Sequence, residues 1–266
     1  MQSNKLLKIS GAAFATFLAV LATPPKSVYA TQPLETETAR PLKKGAGTAD
    51  IAYEYQTSSE GHEAAIPLAL EYGITDRLEI LAEPVPYTAI RPKHGAHSTG
   101  AGDTETTLTY LLKGETASAP ALALAGEVKF PTAKKNDIGT GKTDYNLTLI
   151  ASKKYGAWDT HFNVGYSVLG EPAGMKLKNI WNYALAGEYR LNSKYELVGE
   201  ILGDTESSAK AGDAGATAGA REAAGGEFVC MLGARYNAGK QIILGLGITY
   251  DNNQAFLLRP GLTWEF

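Results

Sequence analysis

The sequence predicts an all-β protein, a transmembrane antiparallel up-and-down β-barrel of about 12 strands. Three observations point there. Apolar residues recur at every second position in segment after segment, the connections between segments alternate between short and long, and the chain opens like an exported protein.

The final hairpin shows the alternation best. From Phe256, one register reads Phe256, Leu258, Pro260, Leu262, Trp264 and Phe266, and the other reads Leu257, Arg259, Gly261, Thr263 and Glu265. The preceding strand sets Ile242, Leu244, Leu246, Ile248 and Tyr250 against Gln241, Ile243, Gly245, Gly247 and Thr249. A period of two over about ten residues suits a strand with lipid on one face and a wet lumen on the other. A soluble sandwich strand alternates too, so the rest of the chain must decide.

Its 266 residues suffice for one large β domain or two small ones. Lys5 and Lys8 precede an apolar run near Ile9–Leu21, and Val28-Tyr29-Ala30 has the small residues of a cleavage site. Residues 1–30 therefore read as a signal peptide cut near Ala30, because the run is too short to span a bilayer as a helix. Without it the chain keeps 22 basic and 28 acidic residues, a net charge of −6. That excludes a nucleic-acid binder by bulk electrostatics. The lone Cys230 excludes an internal disulfide framework, and it shares a face with Phe228 and Leu232 as a small hydrophobe.

Residues 31–46 are polar, with Pro33 and Pro41, and are expected as a loose periplasmic lead-in before a barrel over 47–266, with folding into the lumen as a plug left open. Period and turn residues place strands near 47–56, 64–74, 77–87, 102–113, 120–130 and 143–154. Further strands fall near 157–169, 179–191, 194–203, 225–236, 240–250 and 255–266. Short links occur at Thr75-Asp76, Gly114–Ala119, Tyr155-Gly156, Asn192-Ser193 and Asn237–Gly239. The long ones are Thr88–Ala101, Pro131–Lys142, Gly170–Lys178 and Asp204–Ala224. Short turns on one side and long loops on the other are the pattern of periplasmic turns and extracellular loops. The Ala/Gly-rich stretch 204–224 has too little bulk to pack a core and is expected to be mobile.

The outward set runs from Tyr53, Tyr55, Leu68 and Leu70 through Leu122, Leu124, Leu147, Leu149, Phe162, Trp181 and Tyr183. Tyr and Trp near strand ends suit a lipid–water boundary. The expected lumen-lining set is Glu54, Glu71, Glu83, Asp103, Glu105, Glu127, Lys129, His161, Glu188, Arg190, Glu200, Arg235 and Arg259. Two readings of it stand. Arg190, Arg235 and Arg259 neutralise neighbouring carboxylates and hold the interior together, or the lumen is an acidic pore that favours cations and neutral polar solutes.

Catalytic signals are sparse. Of the four histidines, His62, His94 and His97 are expected in outer loops and only His161 in the wall. Ser152 and Ser167 lie on nearby strands, with no motif linking either to His161 as a hydrolase would need. His94-Gly-Ala-His97 has a ligand-like spacing with no cysteine or carboxylate cluster, so no metal or other cofactor is expected. Gly139-Thr-Gly-Lys142 lacks the full phosphate-loop spacing.

Gly102-Asp103 before Leu108-Thr-Tyr110, and Glu127-Val-Lys-Phe-Pro-Thr-Ala133 leading into Gly139-Thr-Gly-Lys-Thr-Asp144, carry a family resemblance. They resemble the outer-membrane barrels of the MetA-pathway of phenol degradation, also described as transporter-like. Asn163-Val-Gly-Tyr166 and the aromatic C-terminus fit as well. The resemblance spans most of the chain after residue 46 and implies uptake of small, often hydrophobic compounds across an outer membrane; it assigns no binding residue.

The expected function is thus a non-enzymatic outer-membrane channel or transporter for small solutes, hydrophobic or aromatic ones included, through a charged lumen. The alternatives are a non-conducting structural or surface-binding barrel that works through its loops, and an outer-membrane lipid hydrolase. The expected partners are outer-membrane lipids, a small solute and the assembly machinery that reads the strand ending at Phe266.

Overall fold

A computed structural model describes residues 34–135, 138–172, 176–207 and 226–266. The expected signal peptide and most of the Ala/Gly-rich stretch lie outside these residues. The described chain is strand, turn and loop throughout.

Sixteen strand runs build twelve wall strands. The first four wall strands are each broken once: β1 (Gly47–Ala52) with β2 (Glu54–Thr57), β3 (Gly61–Ile66) with β4 (Leu68–Thr75), β5 (Leu78–Pro84) with β6 (Tyr87–Pro92), and β7 (Ser98–Gly100) with β8 (Thr104–Lys113). The other eight are continuous: β9 (Ala121–Phe130), β10 (Asp144–Tyr155), β11 (Trp158–Val168), β12 (Ile180–Arg190), β13 (Tyr195–Asp204), β14 (Phe228–Asn237), β15 (Ile242–Asp251) and β16 (Phe256–Glu265). Each wall strand pairs antiparallel with its neighbours in sequence, and β1 returns to β16, so the sheet closes. At the seam Gly47 and Phe266 exchange backbone hydrogen bonds of 2.9 Å in both directions. Closure removes the unpaired edges that an open sheet of this size would expose.

Two of the breaks hold Pro67 and Pro86, which have no N–H to give to a ladder. Around them the backbone still finds partners: Ala52 N–H donates to the Pro67 carbonyl at 3.1 Å, and Gly102 N–H to Val85 at 2.8 Å. The stretch Thr88–Ala101, expected as a loop, is mostly a ribbon in which β6 pairs with β3 and β7. His62, also expected in a loop, lies on β3 and stacks on Tyr55 with ring centres 5.9 Å apart. His94 and His97 do lie in a loop.

The two faces separate as the alternation demands. Leu147, Leu149, Phe162, Trp181, Leu185, Leu244, Leu246 and Leu262 are exposed on the outer surface. Tyr145, Tyr155, Trp158 and Tyr195 are exposed near strand ends. An unbroken apolar band of this kind is insoluble in water and matched to a bilayer core. The inner positions carry Ala121, Ala123, Ala125, Thr148, Ile150, Ser152 and Ala186, all buried.

What buries them is the segment expected to be loose. Residues 34–46 run inside the barrel rather than hanging below it. Leu34 packs on Ala186, Val198 and Met231, and Ala39 on Ala121, Ala123, Ala125 and Ile150. Small wall residues leave room for the segment, and Leu34 and Ala39 fill it.

Placing a charge on the outer band tests the assignment of faces. Leu149→Arg should destabilise the barrel by about 2–4 kcal/mol if Leu149 faces lipid. Urea titrations in lipid vesicles would read the loss, and an unchanged midpoint would place this face elsewhere.

Candidate functional site

The interior is a polar wall wrapped around an extended peptide. Glu200 on β13 accepts the Glu35 N–H (3.0 Å), the Thr36 N–H (2.9 Å) and the Thr36 hydroxyl (2.6 Å). Asn163 on β11, with its amide oriented to satisfy both ends, accepts the Glu37 N–H at 2.8 Å and donates to the Glu37 carbonyl at 3.1 Å. Ser152 on β10 accepts the Ala39 N–H at 2.8 Å. Glu79 on β5 accepts the Leu42 N–H at 2.6 Å, and Asp76 accepts the Lys44 N–H at 3.1 Å. Wall backbone is already committed to its ladders, so the segment's amides go to side chains.

Two ionic clasps reinforce these bonds. Arg40 reaches Asp159 with both terminal nitrogens at 2.9 Å and Glu115 at 2.9 Å. Arg259 on β16 bridges Glu35 of the segment and Glu54 of β2, the latter at 2.7 Å. A guanidinium fork held by two carboxylates is the arrangement that best repays desolvation.

Each expected lumen residue has a definite place. Arg235 joins Glu188 (2.9 Å) to Glu196 (3.0 Å), and Lys129 pairs with Asp144. Glu71 is buried. Glu83 and Glu105 stand opposite each other across β5 and β8, and Glu127 follows on β9. Arg190 lies exposed at the short-turn end of β12, where it borders a cavity of about 610 Å³ together with Lys154, Asp159, Glu188 and Arg235. Structural pairing thus describes Arg235 and Arg259, while Glu83, Glu105 and Glu127 form an acidic zone toward the other end.

His161 does meet a serine. Ser152 Oγ lies 2.8 Å from Nδ1, and Nε2 lies 3.3 Å from Glu188 and 3.8 Å from Asp159. With the proton on Nε2, the serine hydroxyl donates to Nδ1 and accepts from Ala39. Ser152 is 1% exposed and its oxygen is engaged by the segment, so this trio serves as a latch on the peptide rather than an open nucleophile. Ser167 is bound to Asn182 instead.

The short motifs that carry the family resemblance converge near the loop-side rim. Asp103 accepts the Ala133 N–H at 2.9 Å, and Thr132 donates to the Gly102 carbonyl at 3.1 Å. A Cβ on Gly139 would sit 2.8 Å from Asp103 Oδ2, so only glycine lets the loop close over this carboxylate.

A closed twelve-strand barrel with an apolar belt and a charged interior defines the class of outer-membrane channel-like barrels. The chain belongs to the family described as "Putative MetA-pathway of phenol degradation", whose model matches residues 46–266. The internal segment lies before that span. Among solved structures, an outer membrane channel from Pseudomonas putida F1 is 14% identical, with a TM-score of 0.67 and coverage of 90% of this chain and all of that one. The NanC porin is 11% identical (TM-score 0.57, covering 81% of this chain and 98% of that one). The KdgM porin, in complex with disordered oligogalacturonate, is 10% identical (TM-score 0.53, covering 82% and 99%). At these identities the likeness is one of fold. No curated protein matches the chain.

Sequence reading missed Glu35, Thr36, Arg40, Glu115 and Asp159 as interior partners. The only signal was an apolar residue at Leu34, Ala39 and Leu42 in an otherwise polar stretch, which is too sparse to show a period.

Glu115 lies in the short turn after β8. Slight burial works to raise its pKa, but the Lys154 amide and the Arg40 and Lys153 side chains outweigh this and hold the carboxyl below its ordinary value. A depressed carboxylate stabilises the fold above its ordinary pKa, and the contribution is lost as pH falls through the folded value. Hydrogen exchange at the Ala39 and Leu42 amides should therefore accelerate below about pH 4.3. Glu115→Gln should remove much of that dependence; an unaltered profile would mean this clasp does not hold the segment.

Proposed function

We propose that the protein is an outer-membrane channel for small solutes whose resting lumen is occupied by residues 34–46. The observation that carries this reading is the mode of occupation. The peptide is held by side-chain acceptors and two arginine clasps, contacts that can be exchanged one at a time without breaking any wall strand. A barrel of this strand number is wider than those filled by their own side chains and narrower than general porins. The leader-like composition of residues 1–30, the apolar belt and the aromatic strand ending at Phe266 support insertion into a Gram-negative outer membrane through its assembly machinery.

The likeness to porins and to an outer membrane channel supports passage. The family description, phenol degradation, supports small aromatic compounds among the solutes. The acidic zone of Glu83, Glu105 and Glu127 supports a preference for cations and neutral molecules over anions.

Single-channel recording tests this directly. Protein extracted from the outer membrane of an expressing host should give small steps in planar bilayers, and Arg40→Ala should raise the open probability. Glu127→Gln with Glu83→Gln should move the reversal potential toward zero under a salt gradient. The occupied interior also favours a second reading, a barrel that conducts nothing and acts through its loops. Silence from a folded chain deleted for residues 34–44 would establish that reading instead.

A further inference from the structure

We infer that Glu200 and Arg259 form a luminal binding site for small solutes that carry both an N–H-rich or ammonium group and a carboxylate, and that Glu35-Thr36 occupies this site as a built-in mimic of such a ligand. The inference deepens the channel reading and rests on it for its physiological sense, but the site itself can be tested by binding alone.

The two wall residues are a matched pair of receptors. With the segment seated on them Glu200 is 5% exposed and Arg259 8%, although the Glu35 side chain that meets Arg259 is itself 48% exposed. A buried charge is tolerated when its hydrogen-bonding capacity is filled. Glu200 is filled by three donors of the segment, namely two backbone N–H groups and one hydroxyl. An ammonium group could give two of its three N–H bonds to the same oxygens. Arg259 turns one face to Glu54, a fixture of the wall, and the other to the Glu35 carboxylate, which arrives with the peptide. The wall therefore supplies an acceptor for donors, a cation for a carboxylate, and a second carboxylate that orients the cation.

The peptide also gives the spacing. In Glu35 the backbone nitrogen and the side-chain carboxylate are separated by Cα, Cβ and Cγ. The smallest free molecule with that arrangement is 4-aminobutanoate, and glutamate carries the same unit. A ligand offering only one of the two groups would leave Glu200 without donors or Arg259 without its second carboxylate, and that loss is the basis of discrimination. Neighbouring Leu34 is held by Ala186, Val198 and Met231, so a short apolar extension beside the amino group would be accommodated.

Tethering makes Glu35 a competitor at high effective concentration. Deleting residues 34–44 removes the donors at Glu200 and the Glu35 carboxylate at Arg259 together, while Arg259 keeps Glu54. Equilibrium dialysis of labelled 4-aminobutanoate against the full, detergent-solubilised protein is the measurement, with folding checked by heat-modifiable gel mobility. Binding should tighten by about tenfold in this deletion variant relative to the unaltered chain. Butanoate and 1-aminobutane should each bind that variant roughly 30-fold more weakly or worse, the size expected when one partner of a buried charge pair is missing. Adding Glu200→Gln or Arg259→Gln should cost a similar factor.

Should the combined variants fail to fold, the ligand series on the deletion variant alone still decides. Should the deletion variant itself fail to fold, high 4-aminobutanoate must speed hydrogen exchange of the Glu35 and Thr36 amides in the unaltered chain. Equal binding of the one-group ligands, or no binding by the folded deletion variant, overturns the site while leaving the channel reading intact. Binding with the expected discrimination in a chain that never conducts would support the site and remove the channel.

Discussion

Closure of the ladder between β1 and β16 is the constraint on which everything else in this molecule depends. Once every wall strand has two neighbours, backbone polarity is spent within the sheet and only side chains can address the interior. Period-two alternation then becomes obligatory, because a slip by one residue would turn lysines and glutamates outward and leucines inward. The prolines at the breaks are tolerated within this frame because carbonyls there still receive N–H groups across the gap.

The interior resolves a conflict between size and polarity. Twelve strands enclose more space than their own inward residues fill, and many of those residues are Ala, Thr and Ser. The chain fills the space with its own residues 34–46, and so must satisfy a run of backbone amides in the middle of the barrel. The wall does this with carboxylates, a serine and an asparagine. The same carboxylates would be costly without partners, so peptide and wall each cover the other's unmet hydrogen bonds. The hydrophobic share of the contact rests on Leu34 and Ala39 with their neighbours and on the buried Leu42.

The wall was legible in the sequence because alternation is a local signal. The strand expected at 143–154 is Asp144–Tyr155, and the one expected at 255–266 is Phe256–Glu265. The Tyr155–Trp158 turn even fixes Ser152 opposite His161, since counting back from a two-residue link pairs them. The β6–β7 ribbon was illegible because its strands are short and its buried residues, the adjacent Thr88 and Ala89 with Ser98, do not alternate. The internal segment was illegible for a different reason. Its partners sit on β5, β10, β11, β13 and β16, and nothing in residues 34–46 repeats at the spacing of wall strands. Orientation could be read for Glu200 and Arg259, but not that each would be paired to a residue more than 160 positions away.

That scatter of partners has a consequence for how the molecule is made. Residues 34–46 precede every wall strand in the chain, yet their full set of contacts exists only when β16 stands beside β1 and β13 faces β5 across the interior. A half-built sheet can offer Glu79 or Ser152 but not the Glu200–Arg259 pair. The first part of the barrel domain to be synthesised is therefore the last to find its place. Its docking records that the circle has been completed in the correct register, and a misassembled barrel would leave it outside, within reach of the proteases that clear failed envelope proteins.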